Sequence, residues 1–227
     1  MKLREFSTSG LVGYWKMNEG TGATAKDQTP NANNGTITGA SWVAGKILAK
    51  ALSFDGVDDD VNIDDHANLD ATSMSIEFWF LIVAAQDLNA RILDHQISGP
   101  ADGYSFVCQT APVNSFNLSI RNGITGTASI NSGSLALSAW HHVVGTTDSS
   151  VAELFVDGVL VGTDTSAARA DAAAVLNVAR RVSGANRFAG RVDELKIYNR
   201  ILSAIEVARH YAAGKYIRPK VNKLLRR

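Results

Sequence analysis

Carboxylates are the residues of this sequence best suited to chemistry, and two sets of them stand close together. Asp58, Asp59 and Asp60 are consecutive, and Asp193 is followed directly by Glu194. Calcium takes about six to eight oxygen ligands, which loops rich in carboxylates and amides supply. The three consecutive aspartates are therefore a candidate calcium cluster. Alternatively, they form turns through hydrogen bonds of their own side chains.

The second set interrupts a strand pattern. Apolar positions step by two up to Val192 and then by three to Leu195, which indicates one inserted residue. A β-bulge at this point would redirect Asp193 or Glu194, and bulges are frequent beside functional sites. The alternative is a kink at a strand end with both carboxylates in solvent.

Histidines are the other candidates for chemistry. His141 and His142 are adjacent in a strand-like run, so their side chains point to opposite faces and cannot hold one ion together. A hydrogen-bonded structural role is expected for His142. The remaining histidines show no spacing that indicates a site: His66, His95 and His210.

The elements that must position these residues are short strands. Apolar and polar residues alternate in many runs bounded by Gly, Asn, Asp and Ser, and Asp157-Gly158 predicts a tight hairpin turn. This spacing is typical of an all-β sandwich or jelly roll. The predicted strands cover residues 11–17, 51–54, 73–80, 104–109, 116–120, 140–146, 154–161, 176–179 and 188–198.

One helix is predicted after the last strand. Ser203 and Glu206 form a capping box, in which the side chain of each residue accepts a hydrogen bond from the backbone N–H of the other. The helix should run to about Ala213, with Gly214 as a left-handed terminator.

Composition agrees with a single domain. The 227 residues are 45% hydrophobic, enough for one sizeable core. Cys108 is the only cysteine, which excludes an internal disulfide or a thiolate zinc cage, and its apolar neighbours predict a buried thiol. The sequence has no run of about eighteen apolar residues and no visible secretory signal.

Charge divides the chain unevenly. All 22 acidic residues precede Arg209, so the net charge of zero hides an acidic body and a basic C-terminal segment. We expect an N-terminal arm at residues 1–9, the β-domain at 10–213 and a basic tail at 214–227. The tail is predicted to be an attachment arm that acts through Lys215, Arg218, Lys220, Lys223, Arg226 and Arg227.

Several sequence blocks resemble the laminin-G-like domains of the concanavalin-A-like superfamily. They occur in family order between about residues 10 and 210, and they begin with Gly10-Leu11-Val12-Gly13-Tyr14-Trp15. The others are Ala51-Leu52-Ser53-Phe54-Asp55-Gly56, Ser75-Ile76-Glu77-Phe78-Trp79, Trp140-His141-His142-Val143-Val144 with Val156-Asp157-Gly158, and Phe188-Ala189-Gly190-Arg191-Val192-Asp193-Glu194-Leu195. The resemblance implies a two-sheet antiparallel jelly-roll sandwich.

The resemblance also implies a calcium site. The positions that match acidic loop residues of calcium-binding relatives are Asp27, Asn31, Asn33 and Asp193, with the aspartates at 58–60 as a second candidate cluster. A turn-forming role for these residues is the alternative. The sequence departs from the family pattern at two points in these same loops. Asp59-Asp60 stands where the family usually has Asp-Tyr, and Pro30 stands where it usually has glycine.

Enzymes of the superfamily carry motifs that this sequence lacks. A retaining glucanase uses two carboxylates about 5 Å apart, delivered by a Glu-x-Asp-x-x-Glu strand, and no such strand is present. The residue constellation of the family's lyases is also absent. Sugar-binding modules usually stack a sugar ring on an exposed aromatic side chain. The four tryptophans match positions that relatives use for packing, namely Trp15, Trp42, Trp79 and Trp140, so only Tyr104 and Tyr216 could serve in this role.

We therefore expect a non-enzymatic surface-binding or structural module that contacts glycan or protein. It would be assembled on a larger particle, as virion decoration or tail proteins are, and would sit at an extracellular or virion surface. Self-association through the basic tail is expected. Nucleic acid is not an expected partner, because the tail has no interleaved aromatics. Alternatives are a secreted carbohydrate-binding lectin module and, third, a polysaccharide-active enzyme.

Overall fold

The computed structural model describes residues 8–47, 50–83, 86, 88–96, 102–109, 112, 114–122, 126–148, 150–165 and 173–215. In chain order its elements are β1 Leu11–Trp15, β2 Thr24–Ala25, β3 Gly35–Thr38, β4 Ser41–Val43, β5 Ala51–Asp55, β6 Asp60–Ile63, a 3-10 turn Ala67–Leu69, β7 Met74–Ile82, β8 Arg91–Gln96, β9 Gly103–Gln109, β10 Ser115–Asn122, β11 Gly126–Asn131, β12 Trp140–Thr147, β13 Ala152–Val156, β14 Val159–Asp164, β15 Leu176–Val178, β16 Ala189–Tyr198 and helix α1 Ala204–Lys215.

The strands form two antiparallel sheets of eight strands each. Sheet A has the order β14-β13-β12-β7-β16-β5-β4, and β1 also pairs with β16. Sheet B has the order β11-β10-β9-β8-β15-β6-β3-β2. The predicted two-sheet sandwich with a C-terminal helix is confirmed. No helix of the described residues is long and apolar enough to cross a membrane.

The core lies between the two sheets and follows from the alternation in β7. Met74, Ile76, Phe78 and Phe80 all belong to the central apolar cluster. The Phe78 ring meets that of Phe106 from sheet B edge to face, at 4.9 Å between centroids. The intervening side chains of β7 point to the outer face of sheet A.

The predicted hairpin at Asp157-Gly158 is confirmed. The two residues join β13 to β14 with φ values of 50° and 81°. Positive φ at both central residues matches the right-handed twist of the flanking strands, and glycine adopts it without steric cost.

Helix α1 covers part of the outer face of sheet A. Its capping box is present, because the Ser203 N–H donates to Glu206 Oε2 at 2.9 Å and the Glu206 N–H donates to Ser203 Oγ at 3.3 Å. A second apolar cluster fills the space beneath the helix; it consists of Val144, Phe155, Tyr198, Leu202 and Val207.

The predicted role of Gly214 is wrong. This residue lies within α1 and is buried, and it does not terminate the helix. A Cβ at this position would lie 2.4 Å from Trp79 Cζ2, so glycine is needed for close packing of helix on sheet. Of the predicted attachment residues, Lys215 is the last residue of α1, and Arg218, Lys220, Lys223, Arg226 and Arg227 lie outside the described residues.

Candidate functional site: the outer face of sheet B

A continuous row of polar side chains crosses sheet B from edge to edge. At every step the ladder pairs one short hydroxyl, amide or carboxylate residue with another, and their neighbours along each strand point into the core. The row consists of Ser129, Ser119, Ser105, Asp94, Asn177, Asn62, Thr36 and Thr24.

The solvent exposure of the side chains differs along the row. Ser129 and Thr24 at the two ends are exposed, whereas Ser105, Asp94 and Asn177 in the middle are fully buried. The described strands place no aromatic side chain on this outer face. Recognition here would therefore rest on hydrogen bonds and charge.

Arginine side chains lie across the row on the β6 and β15 side. Arg180 donates from Nε to Asn177 Oδ1 at 3.0 Å and from Nη2 to Asn62 Oδ1 at 2.7 Å. The Asp60 carboxylate lies 3.4 Å from Arg180 Nε and 3.2 Å from Arg187 Nη1. These contacts fix the amide groups of the row in one orientation.

The centre of the face carries one buried ion pair. Asp94 Oδ1 is 3.3 Å from Arg91 Nε, and Asp94 Oδ2 accepts the Val182 N–H at 2.9 Å. Burial raises the pKa of the Asp94 carboxyl, which this N–H and the arginine charge oppose. Burial lowers the pKa of the Arg91 guanidinium, Asp94 opposes that shift, and the charges of Arg181 and Arg121 add to it.

The first-loop residues predicted to bind calcium form a turn. Asp27 Oδ1 accepts the Tyr14 and Thr29 N–H groups, and Oδ2 accepts the Thr29 hydroxyl and the Asn33 N–H, at 2.9–3.0 Å. Asn31 Nδ2 donates to a carbonyl of β1. Each oxygen of Asp27 already accepts two hydrogen bonds, so the carboxylate does not fit a calcium ligand in this arrangement.

Asp193 and Asp27 have different hydrogen-bond partners. The predicted bulge is confirmed, because the ladder between β16 and β7 shifts between Asp193 and Lys196, and Glu194 has a φ of 56°. The alternative with both carboxylates in solvent is wrong, because both are buried. Asp193 Oδ2 accepts two N–H groups from the connection after β4, those of residues 46 and 47. Calcium binding by this chain stays a prediction.

Two buried carboxylates at the bulge have different surroundings. Burial, with a contribution from the Glu194 charge, raises the pKa of Asp193 to about 7, although three backbone N–H groups oppose the shift. Glu194 Oε2 accepts the Tyr14 hydroxyl at 2.6 Å and lies 3.7 Å from Lys196 Nζ. Burial raises the pKa of Glu194 as well, against the effect of Lys196.

The consecutive aspartates separate. Asp58 and Asp59 lie with Asp55, and one carboxylate oxygen of each is within 4.8 Å of the others. Asp60 points to the outer face of sheet B and pairs with the arginines there. The predicted three-residue cluster is therefore wrong for Asp60, because neighbours on a strand face opposite sides. A second group of the same kind contains Asp65, Asp70 and His95.

A buried polar network occupies the outer face of sheet A beneath α1. Glu77 is its centre: Oε1 lies 3.1 Å from His142 Nε2 and 3.2 Å from Lys196 Nζ, and Oε2 lies 2.8 Å from His210 Nδ1. The Tyr198 hydroxyl donates to Oε2 at 3.4 Å. Burial alone would raise the pKa of Glu77, but Lys196 and the two histidines hold it well below its usual range.

The remaining candidate residues from the sequence that the structure describes pack or form hydrogen bonds within the domain. The structural role of His142 is confirmed by its contact with Glu77, and His141 pairs with Asp157 at 2.9 Å. The buried thiol is confirmed, since Cys108 is 1% exposed and burial raises its pKa to about 12. Tyr104 is a core residue stacked on His95, and Tyr216 lies outside the described residues.

The tryptophans lie away from the outer face of sheet B. Trp15 is in the core, and Trp42 packs against it from β4. Trp79 stacks on Tyr211 of α1 at 5.9 Å between centroids, and Trp140 begins β12 of sheet A. The expectation of no spare tryptophan agrees with these positions.

Sequence reasoning missed the polar row and the contribution of His210. The row depends on register across eight strands, which no local pattern reports. A signal for His210 did exist, because helix periodicity from the capping box places His210 on the same face as Val207. Its partner Glu77, however, is 133 residues away in sequence.

Two stacked eight-stranded sheets, one covered by a helix and one with a polar outer face, define a lectin-type β-sandwich. The chain belongs to the Laminin G 3 family of the concanavalin A-like lectin/glucanases superfamily, whose sequence profile matches residues 55–208. No curated protein matches the chain in sequence.

Three solved structures illustrate the fold. Domain 4 of an extracellular arabinanase from Geobacillus stearothermophilus, in complex with arabinotriose, is 16% identical with a TM-score of 0.68, and the match covers 88% of this chain and 97% of that one. The binding domain of Paraclostridial Mosquitocidal Protein 1 is 15% identical with a TM-score of 0.71, and 89% and 52% are covered. The binding domain of botulinum neurotoxin DC in complex with rat synaptotagmin II is 13% identical, with a TM-score of 0.70 and coverage of 91% and 52%. The chain thus spans about half the length of the two toxin binding domains.

Proposed function

We propose that this domain is a non-enzymatic binding module whose ligand face is the outer face of sheet B. The observation that carries the proposal is the unbroken polar row, which runs across all eight strands and exposes hydroxyl groups on β2, β3 and β11, whereas its centre at Ser105, Asp94 and Asn177 is buried. Such groups donate and accept hydrogen bonds with sugar hydroxyls or with a polar protein surface. The opposite outer face is partly covered by α1 and is not equivalent.

Charge on the row argues against hydrolysis. The row contains a single carboxylate, Asp94, which is paired with Arg91. Asp60 on the adjacent position is paired with two arginines. A glycosidase uses two carboxylates, one of them an acid held in its protonated form, on either side of the scissile bond. Two arginine-paired carboxylates are poor candidates for those roles.

Two classes of ligand are consistent with the fold. The arabinanase domain was solved with a sugar and the neurotoxin domain with a protein, and both share this fold. We favour as ligand a glycan or protein on a surface that is contacted by the larger particle carrying this domain. The alternative of a secreted carbohydrate-binding module is supported by the arabinanase domain, which this chain matches over 97% of its length.

Attachment to a larger particle at an extracellular or virion surface is the second part of the proposal. It rests on the basic segment from Arg209 onward, which contrasts with the acidic remainder of the chain. Such a segment is attracted to acidic surfaces, including other copies of this chain, and that attraction weakens with salt.

The test is a blocking substitution on the proposed face. Ser119→Tyr adds a large side chain at the second position of the row, beside exposed Ser129, and Ser41→Tyr on the edge strand β4 of sheet A is the control. We expect Ser119→Tyr to abolish binding on glycan and protein arrays while Ser41→Tyr retains it, with both variants folded by circular dichroism. Equal binding by the two variants would overturn the assignment of the face. Release of reducing sugar from a polysaccharide panel would overturn the non-enzymatic part.

A further inference from the structure

His141 lies at the start of β12, between the tip of the β13–β14 hairpin and the connection that precedes β12. Its Nδ1 is 2.9 Å from Asp157 Oδ2, and its Nε2 is 3.2 Å from the carbonyl oxygen of Ala136. The imidazole therefore joins the hairpin tip to the segment before β12. We name these three residues the His141 clasp.

Both partners of the His141 ring accept hydrogen bonds and cannot donate them. An ionised carboxylate and a backbone carbonyl have no proton to give. A neutral imidazole has one N–H and one bare nitrogen, so it satisfies only one of the two acceptors and places a lone pair against the other. Two acceptors at hydrogen-bond distance are matched only by the imidazolium, in which both ring nitrogens donate. The geometry of the clasp therefore requires a charged histidine.

The backbone fixes Asp157 in the clasp. Asp157 Oδ1 accepts the His142 N–H at 2.9 Å, and the Asp157 N–H donates to the His142 carbonyl oxygen at 2.8 Å. The Asp157 side chain is 33% exposed, so solvent protons reach the clasp. The next residue of the turn, Gly158, lies against α1, because a Cβ there would be 3.0 Å from Tyr211 Cδ1. The hairpin tip thus connects the clasp to the helix.

The described elements packed against the ring contribute one charged group, Asp157. β7 presents the Phe80 ring at 6.1 Å between centroids, residues 133–139 contain no titratable side chain, and His142 points to the opposite face of β12. The hydrogen bond to Asp157 raises the pKa of His141, against the effect of burial. Burial raises the pKa of Asp157, but the hydrogen bonds from His141 and the His142 N–H outweigh burial and leave that pKa lowered.

We propose that the His141 clasp is a pH-sensitive switch that holds the tip of the β13–β14 hairpin at mildly acidic pH and releases it as pH rises. Loss of one imidazolium proton leaves either Asp157 or the Ala136 carbonyl without its donor. The clasp is complete between the unfolded pKa of Asp157, 3.8, and that of His141, 6.5. It is lost as pH rises through the folded value of His141 or falls through that of Asp157. This switch is independent of the ligand face on sheet B.

Nitrogen NMR of the full chain, labelled at histidine, tests the charge of the ring directly. The His141 signals are assigned by their loss in His141→Gln. At about pH 6 both ring nitrogens of His141 should give imidazolium shifts, and the titration midpoint should lie at least about half a pH unit above that of His66. His66 is the reference because it is exposed. A His141 midpoint at or below that of His66 would overturn the proposal.

Asp157→Asn separates the charge of the clasp from the shape of the turn. Asn-Gly is a favoured hairpin turn, so asparagine accepts the φ of 50° at this position, and its carbonyl oxygen can still accept the His142 N–H. We expect the hairpin to form and the His141 midpoint to fall by at least about half a pH unit. Asp148→Asn, in the turn before β13, is the matched control and should leave the midpoint unchanged. An unchanged midpoint in Asp157→Asn contradicts the switch.

Hydrogen exchange measures the release of the hairpin tip. The protection factors of the Asp157 and His142 amides are compared about one pH unit below and one above the measured His141 midpoint, where the ring changes from mostly charged to mostly neutral. In the parent and in His66→Gln, protection should fall at least about threefold across this interval. In His141→Gln it should be low and equal at both pH values. Equal protection on both sides of the midpoint in the parent would show that the tip is held without the charge, and would overturn the switch.

Discussion

The two outer faces of the sandwich both carry polar residues and arrange them in different ways. On sheet A, Glu77 satisfies Lys196, His142 and His210 within a closed network under α1. On sheet B, no described helix covers the polar row, although its centre is buried. Buried atoms without a hydrogen-bond partner occur on both sheets, at His142 Nδ1 and Asp193 Oδ1 of sheet A and at Ser105 Oγ and Gln96 Nε2 of sheet B. The sheet A network accounts for stability beneath α1, whereas the proposed function assigns the outer face of sheet B to a ligand.

The largest effect should come from the closed network. Glu77→Ala leaves Lys196 and two histidines buried without their shared acceptor, and we expect a loss of about 3–5 kcal/mol in the free energy of unfolding. Urea denaturation measures it, with Glu153→Ala on β13 as the control at under about 0.5 kcal/mol. A loss as small as that of the control would mean that the network does not stabilise the domain.

The same network predicts how stability depends on pH. The folded-state pKa of Glu77 is lowered, so its contribution is fully present above the unfolded value of 4.5 and is lost as pH falls through the folded value. We therefore expect Glu77→Gln to unfold with a shallower pH dependence than the parent below about pH 4.5. Parallel curves for parent and variant would contradict the lowered pKa.

Helix docking gives the next effect. Gly214→Ala inserts a methyl group against Trp79, where the Cβ would be 2.4 Å from Cζ2. We expect a loss of about 1–3 kcal/mol from overpacking, with a change in tryptophan fluorescence. Ala212→Ser on the exposed side of α1 is the control. Unchanged stability of Gly214→Ala would show that the helix can shift on sheet A at little cost.

How much was predictable from sequence differs between these two faces. Alternation in residues 73–80 predicted β7, in which Phe78 and Glu77 fall on opposite faces, and irregular spacing located the bulge at Asp193. β8 was missed, because Arg91, Asp94 and His95 interrupt its apolar pattern. These polar residues are buried by their neighbours in sheet B, which local sequence does not report.

The candidate site shows the same limit. Asp27 was selected for its oxygens, and the structure uses those oxygens to close a turn. The polar row consists of single Ser, Thr, Asn and Asp residues that look like ordinary solvent-facing strand positions. Only register between strands far apart in sequence, such as Asp94 with Asn177, aligns them.

A smaller effect is expected at the bulge. The pKa of Asp193 is raised to about 7 in the fold against 3.8 unfolded, so stability is lost as pH rises through about 7. Asp193→Asn should be about 1–2 kcal/mol more stable than the parent at pH 8 and similar to it near pH 4, by thermal unfolding. Asp64→Asn, an exposed neutralisation, is the control.

The same variant sharpens the calcium prediction. If calcium binds at Asp193, the parent should gain stability on adding calcium and lose it with chelator, and Asp193→Asn should show neither change. Superimposed melting curves of the parent in calcium and in chelator would contradict calcium binding.

The smallest effect on stability is expected from the basic tail. Removal of residues 216–227 should leave the melting of the β-domain unchanged and abolish self-association or particle attachment, measured by sedimentation at low salt. A full-length variant separates the charge of the tail from its length. It carries Gln at each tail cation, namely at Arg218, Lys220, Lys223, Arg226 and Arg227. Full assembly of the truncated chain would contradict the attachment role.

The central claim is that ligand binds the outer face of sheet B, and hydrogen exchange with and without the strongest array ligand tests it most directly. We predict added protection of backbone amides in β8, β9, β10 and β15, with no change in α1 or β12. Protection confined to α1 and the outer face of sheet A would contradict the account.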